Sequence, residues 1–210
     1  MDQLARYIDF NDEQLWFSAA TVIAAPVIWN ILARLEYFTH ILTKIFLGSP
    51  YLGCYALAVW IFSFSLFRDY QFMQMMESQP TVTAFDEYEI FIQGIAGAMF
   101  CFGGILVLSS MWALGVTGTY LGDYFGILMK ERVTGFPFNV TDDPMYDGST
   151  IIFLSHALYH RSPAGLLIAL LVWVMYKIAL FFESPFTTRI YAQKNAKSNN
   201  NSKKSKKKSM

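Results

Sequence analysis

Ile90-Phe91-Ile92-Gln93-Gly94-Ile95-Ala96-Gly97-Ala98-Met99-Phe100-Cys101-Phe102-Gly103-Gly104-Ile105-Leu106-Val107-Leu108-Ser109-Ser110-Met111-Trp112-Ala113-Leu114-Gly115-Val116-Thr117-Gly118-Thr119-Tyr120-Leu121-Gly122 runs for 33 residues without a charged side chain. A hydrocarbon core about 30 Å thick takes roughly 20 helical residues, so this stretch exceeds one perpendicular crossing. It either tilts strongly or emerges and continues along the interface. Residues 14–33 and 45–67 also carry no charge, and residues 162–182 carry only Lys177. The chain therefore reads as an all-α polytopic membrane protein. About four membrane helices are expected, near residues 15–33, 51–67, 88–121 and 163–182. Pro26 and Asn30 interrupt the first run, which leaves both a full crossing and a re-entrant helix open. That run is not a cleaved signal, because Asp2, Asp9, Asp12 and Glu13 precede it where positive charge would belong.

Charge is divided unevenly along the chain. All 16 acidic residues lie in residues 1–191, whereas the segment 192–210 holds seven lysines and no acid. The first part reads as a single membrane-embedded domain. The second, rich in Asn, Ser and Lys, cannot bury a core and reads as a disordered basic tail. Arg189, Lys194 and Lys197 close behind the last helix place the C-terminus in the cytosol. With four crossings, residues 68–89 would then be cytosolic and the 122–162 segment would start on the lumenal side. The closing Lys207-Lys208-Ser209-Met210 resembles a dilysine retrieval address of the endoplasmic reticulum, and reads equally as a basic tail on anionic lipid. Nothing points to nucleic acid as a partner, and oligomeric state is left open. Cys54 and Cys101 both sit in apolar runs, so neither a disulfide framework nor a metal site is expected.

Chemistry concentrates between the last two runs. Gly118-Thr119-Tyr120-Leu121-Gly122-Asp123-Tyr124-Phe125-Gly126 leads through Arg132-Val133-Thr134-Gly135-Phe136-Pro137-Phe138-Asn139 to Pro144-Met145-Tyr146-Asp147-Gly148-Ser149-Thr150. Polar, backbone-permissive sequence against hydrocarbon marks a place where something polar reaches a membrane-embedded site. Gly118, Gly122 and Gly126, four apart, read as a helix-packing face. Asp123 follows the uncharged run directly. Glu183 follows residues 162–182, whose only charge is Lys177, ahead of Ser184-Pro185; it reads either as an interfacial carboxylate that ends the helix in water or as an acceptor for a cationic or polyhydroxyl ligand. His156 and His160 share a helical face, but no acid lies between them, which argues against a zinc motif.

Trp29-Asn30 with Ala33-Arg34 and Glu36, Gly48-Ser49-Pro50-Tyr51, Leu106-Val107-Leu108-Ser109-Ser110, the 118–150 block, Pro185-Phe186-Thr187 and Ile190-Tyr191 together make the chain similar to the short phospholipid N-methyltransferases. The resemblance implies an endoplasmic-reticulum enzyme that converts phosphatidylethanolamine, or its mono- and dimethylated forms, to phosphatidylcholine with S-adenosylmethionine; the last two methylations are favoured. It also implies a cofactor site between the third helix and the end of the fourth. The family's Gly-x-Gly falls on Cys101-Phe102-Gly103, where only the second glycine is kept. Its paired glutamates fall on Glu183-Ser184, where the second is absent.

Methyl transfer from a sulfonium to an amine is an in-line displacement, aided mainly by holding the reactants together. Tyr120, Tyr124, Phe125 and Tyr146 are candidates to face the growing ammonium, and Arg132 or Arg161 to meet the lipid phosphate. Glu183, Asp123 and His156 compete as the base that deprotonates the amine. A non-catalytic tetraspan scaffold or lipid-binding protein is the different-class alternative. An isoprenylcysteine carboxyl methyltransferase would carry a longer polar C-terminal region in place of the lysines.

Overall fold

The computed structural model describes residues 6–130 and 133–208, with side chains through residue 194. Among these residues the chain forms six α-helices and no strand: α1 (Glu13–Thr39), α2 (Ile41–Ile45), α3 (Pro50–Ser78), α4 (Glu89–Thr119), α5 (Pro144–Tyr159) and α6 (Pro163–Lys208). Four are long and apolar enough to cross a membrane, and α1 is one of them. It runs unbroken through Pro26, whose carbonyl accepts a bond from Asn30 Nδ2 at 3.1 Å. Asp12 caps its first turn by accepting from Gln14 N.

Caps and corners explain how the helices are joined. His40, in the left-handed region at φ 53°, ends α1. The Glu36 carboxylate, fully buried, then reaches past this turn and accepts from Leu42 N at 2.7 Å, Thr43 N at 3.2 Å and the Thr43 hydroxyl. It holds the start of α2, whose amides would otherwise be unpaired. Ser49 caps α3, with Pro50 in the first turn. The long uncharged run bends at Gly115 (φ 64°, ψ 178°), a conformation that glycine adopts without a Cβ penalty. The expected Gly118–Gly122–Gly126 face does not form, because Leu121 turns the chain at φ 58° into a 3-10 turn, Gly122–Phe125. A Cβ on Gly122 would meet the Thr117 carbonyl at 2.5 Å, so this glycine serves a tight turn.

The core lies among α1, α3, α5 and α6, around Val22, Phe72, Met75, Phe153, Ile168 and Val172. α4 stands outside it and buries only Ala96, Gly103, Leu106 and Ser110, a single stripe laid against α5. Helices in lipid gain little from hydrophobicity when they associate, so close packing has to hold this pair together. It does so at a glycine crossing: a Cβ on Gly103 would lie 2.7 Å from the Gly148 carbonyl, and one on Gly148 would lie 2.7 Å from the Gly103 carbonyl.

The direction of α6 corrects the expected topology. At the start of α4, the Arg161 carbonyl accepts from Val82 N at 3.0 Å and the Arg161 guanidinium pairs with Asp86 and Glu89. At the other end of α4, Asp123 accepts from the Thr187 hydroxyl at 2.6 Å and Met129 N donates to Tyr191 OH at 3.2 Å. Helices α4 and α6 therefore run parallel. The physical reason is α5, which starts beside Gly103, roughly 21 Å along α4 at 1.5 Å per residue, and returns the chain to the α4 start. Residues 79–89 and Glu183 thus lie at opposite ends of the bundle.

Candidate active site

Glu183 is the centre of the site. Helix α6 does not stop at Ser184-Pro185 but continues through Pro185, and Glu183 is only 8% exposed, which rules out a carboxylate left in water. The proline removes one helix donor in this turn. Arg34 reaches this turn from α1 and donates Nη2 to the Phe182 carbonyl at 3.0 Å.

A buried anion is costly unless its lone pairs are satisfied. Glu183 Oε1 accepts from Trp29 Nε1 at 2.8 Å and Asn30 Nδ2 at 2.7 Å, and Oε2 accepts from Tyr146 OH at 2.7 Å. The donors come from α1 and α5, so three helices converge on one carboxylate. Tyr146 packs edge-on to Tyr176 with centroids 4.9 Å apart, and Tyr176 OH accepts from the buried Arg68 at 2.8 Å. This line of polar side chains runs from the acid into the core.

An aromatic wall stands beside the acids. Tyr124 stacks on Phe186 at 4.8 Å and 15°, and Tyr37 meets Phe186 edge-on at 4.9 Å. The Arg34 guanidinium lies 5.1 Å from the Phe186 centroid, which shows that this ring face already carries a cation. Asn30 Oδ1 and Tyr124 OH are buried and have no hydrogen-bond partner among the described residues.

The structure thus gathers Glu183, Tyr146, Asp123 and Tyr124 at one end of the bundle. Tyr120 caps α4 nearby, and its carbonyl accepts from Cys54 Sγ at 3.6 Å. Phe125 instead packs in the α2–α3 corner, where a Cβ on Gly53 would lie 3.0 Å from its ring. Ser184 is exposed, and its carbonyl accepts from Thr188 Oγ1. Cys101 and Phe102 point outward from α4, while Gly103 lies in the seam with α5. The gap expected between the third and fourth apolar helices is filled by α5, which packs on both. His156 is ten residues beyond Tyr146 on α5, roughly 15 Å along the axis, with Nδ1 against the Ile152 carbonyl at 2.9 Å and the ring against Phe100. Arg161 lies at the far end, bound to Asp86 and Glu89. Arg132 lies outside the described residues.

Reasoning from the sequence missed Trp29 and Asn30 as the donors that make a buried Glu183 tolerable. The available signal was Asn30 itself, a polar residue within an uncharged run, read there as an interruption and as part of the family resemblance but not as a donor.

A helical membrane bundle with a carboxylate buried at one end, beside a second acid and an aromatic wall, defines a membrane-embedded site for polar chemistry. Residues 92–194 match the family model described as phospholipid methyltransferase. The chain is 51% identical over 194 residues to phosphatidyl-N-methylethanolamine N-methyltransferase of Emericella nidulans, covering 92% of this chain and 93% of that one. It is 49% identical over 205 residues to phosphatidylethanolamine N-methyltransferase A of Dictyostelium discoideum, covering 97% and 95%. Against phosphatidylethanolamine N-methyltransferase of Homo sapiens the identity is 46% over 194 residues, covering 92% and 96%. No solved structure matches the chain significantly. The chain belongs to the phospholipid methyltransferase family, and that membership implies a methyl donor.

Proposed function

We propose that this protein transfers methyl groups from S-adenosylmethionine to the headgroup nitrogen of phosphatidyl-N-methylethanolamine and its dimethyl form, yielding phosphatidylcholine. The endoplasmic-reticulum membrane, with the C-terminus in the cytosol, is its proposed location. The observation that carries this reading is Glu183, bonded by three donors at the end of the bundle where Asp123 and the aromatic wall meet it. The family relatives named above support the substrate class. Parallel α4 and α6 put Asp123, Glu183 and the C-terminal lysines at the same end, so a cytosolic C-terminus would open the site towards a water-soluble donor.

The fit to S-adenosylmethionine rests on the two unpaired oxygens. Asn30 Oδ1 and Tyr124 OH are buried acceptors beside Glu183, suited to the amino and hydroxyl groups of that donor. Arg34, a half-buried cation at the same wall, matches its carboxylate. When bound, S-adenosylmethionine supplies an electrophilic methyl group on a sulfonium.

The chain's own residues do the rest. Glu183 and Asp123 place negative charge where both reactants carry positive charge, and in a dry site this attraction is strong. Glu183, with three donors upon it, is a fixed electrostatic element. Asp123 accepts one side-chain bond, from Thr187, and is the better placed of the two to take the proton that the amine must lose. The Tyr124–Phe186 stack, which already holds the Arg34 guanidinium, gives the site an apolar wall against which the ammonium can rest as methylation removes its hydrogen-bond donors. Tyr146 and Trp29 orient Glu183 and keep water from it.

The test uses the full chain in lipid nanodiscs with methyl-labelled S-adenosylmethionine and, separately, the ethanolamine, monomethyl and dimethyl lipids. Label is expected in the products of the last two. A folded protein that labels none of the three overturns the reading.

A further inference from the structure

Lys177 is the charge within the last apolar run that the site above does not use. It lies six residues before Glu183, roughly 9 Å along α6, and five residues inside the end of the uncharged stretch. Trp173, four residues before it, and Phe181, four after it, are 46% and 73% exposed, so Lys177 lies on the lipid-facing stripe of the helix. Its Nζ stands 3.3 Å from Asp147 Oδ1 on α5. Thr141 Oγ1 donates to the other oxygen of Asp147.

Two features leave this pair open to exchange. The separation of 3.3 Å exceeds the roughly 2.7–2.9 Å of a well-made charge-assisted bond. The side chains also remain 45% and 30% exposed, open to the bilayer rather than sealed in the protein. Two charges kept near the edge of the hydrocarbon, where an apolar pair would cost less, mark a functional position. Asp147 is moreover the chain neighbour of Tyr146, whose hydroxyl binds Glu183, so the pair and the site lie on adjoining faces of one α5 turn.

We infer that Lys177 and Asp147 form a docking site for a zwitterionic phospholipid headgroup at the α5–α6 seam, the lateral way from the bilayer to Glu183. The lipid replaces the loose pair by two better ones: Lys177 takes the phosphate and Asp147 the ammonium. A lysine stem suits this, since it can extend along the helix to bring its charge to headgroup level. The exchange selects a lipid carrying both charges over one carrying only an anion, and it presents the nitrogen on the Tyr146 side. This assignment rests on the proposed lipid methylation for its catalytic meaning, though not for the binding itself.

The experiment compares the full-length wild type with Lys177→Met, Asp147→Asn and the swap Lys177→Asp/Asp147→Lys in phosphatidylglycerol nanodiscs. Phosphatidyl-N-methylethanolamine is added at stepped mole fractions, and S-adenosylmethionine affinity is measured alongside. Each single variant is expected to raise the lipid KM roughly tenfold or more, with donor affinity kept. The swap restores an ion pair and thermal stability, but it reverses the headgroup, so kcat/KM for the lipid stays low. A swap that regains wild-type kcat/KM, or single variants with unchanged lipid KM, overturns the inference and leaves the pair a packing device. Association of spin-labelled phosphatidyl-N-methylethanolamine, relative to spin-labelled phosphatidylglycerol, reads the same site without turnover. Wild-type preference for the zwitterion, lost in Lys177→Met, upholds the dock even if no lipid is methylated; equal association in both proteins removes it.

Discussion

Replacing Tyr146 with Phe takes one hydroxyl from the interior and leaves Glu183 Oε2 without the donor that stands 2.7 Å away. Trp29 and Asn30 both serve Oε1, so neither can cover the loss. A hydrogen bond to a charged group contributes about 1.5–3 kcal/mol. If Glu183 acts as the fixed anion of the site, that loss appears as a roughly 10- to 150-fold weaker affinity for S-adenosylmethionine. Tyr176→Phe is the matched control. It removes a hydroxyl from the same polar line, but the partner it strands is Arg68 rather than Glu183. It should lower thermal stability while leaving donor affinity nearly unchanged. Equilibrium binding of labelled donor to both variants in nanodiscs, with melting temperatures taken in parallel, separates the two effects. Undiminished affinity in Tyr146→Phe, or an equal loss in Tyr176→Phe, would refute the assignment of Glu183 to the donor site.

Gly148→Ala should destabilise the bundle by about 1–3 kcal/mol, since its Cβ would press on the Gly103 carbonyl at 2.7 Å and on Leu106 Cβ at 2.9 Å; an unchanged melting temperature counts against the tight α4–α5 crossing. Burial pushes the Asp12 carboxyl up, but bonds from Ser78, Gln79 and Gln14 N outweigh it and hold the group below its ordinary value. Its contribution is therefore present above the unfolded value, near pH 3.9, and is lost as pH falls through the lower folded value. Unfolding measured from about pH 5 downward should show this slope in the wild type and a shallower one in Asp12→Asn. Finally, cysteines placed at Thr83 and Ala192 in a chain with Cys54 and Cys101 replaced by serine should react with an impermeant thiol reagent from opposite sides of sealed microsomes. Labelling from the same side would reverse the parallel arrangement of α4 and α6.

The spans were legible in the sequence because each is announced by a long uncharged run, and burial within lipid demands little else. The return helix α5 was not. Its apolar piece, residues 151–159, is too short to signal a crossing, and its first half is written in the Gly, Tyr and Asp of a polar segment. Without α5, four crossings forced Arg161 and Glu183 into the wrong relation to residues 68–89. The family resemblance put Gly103 at the cofactor site, yet one chain cannot say whether the space beside it admits a ligand or a backbone. In the structure it faces the backbone of Gly148.

The partners of Glu183 were hidden for a related reason. They lie 153, 154 and 37 residues away along the chain, and neither α1 nor α5 carries a periodic signal for them. An acid this deep is tolerated only once its donors are in place, so the site and the bundle assemble together. Helix α6 can bury Glu183 only where α1 presents Trp29 and Asn30 and α5 presents Tyr146. The same contacts that satisfy the charge thereby fix the rotation of three helices about it. In lipid, where apolar faces barely discriminate one packing from another, an obligatory set of polar bonds is a strong determinant of register. The carboxylate proposed to serve the chemistry is thus also what tells these helices how to pack.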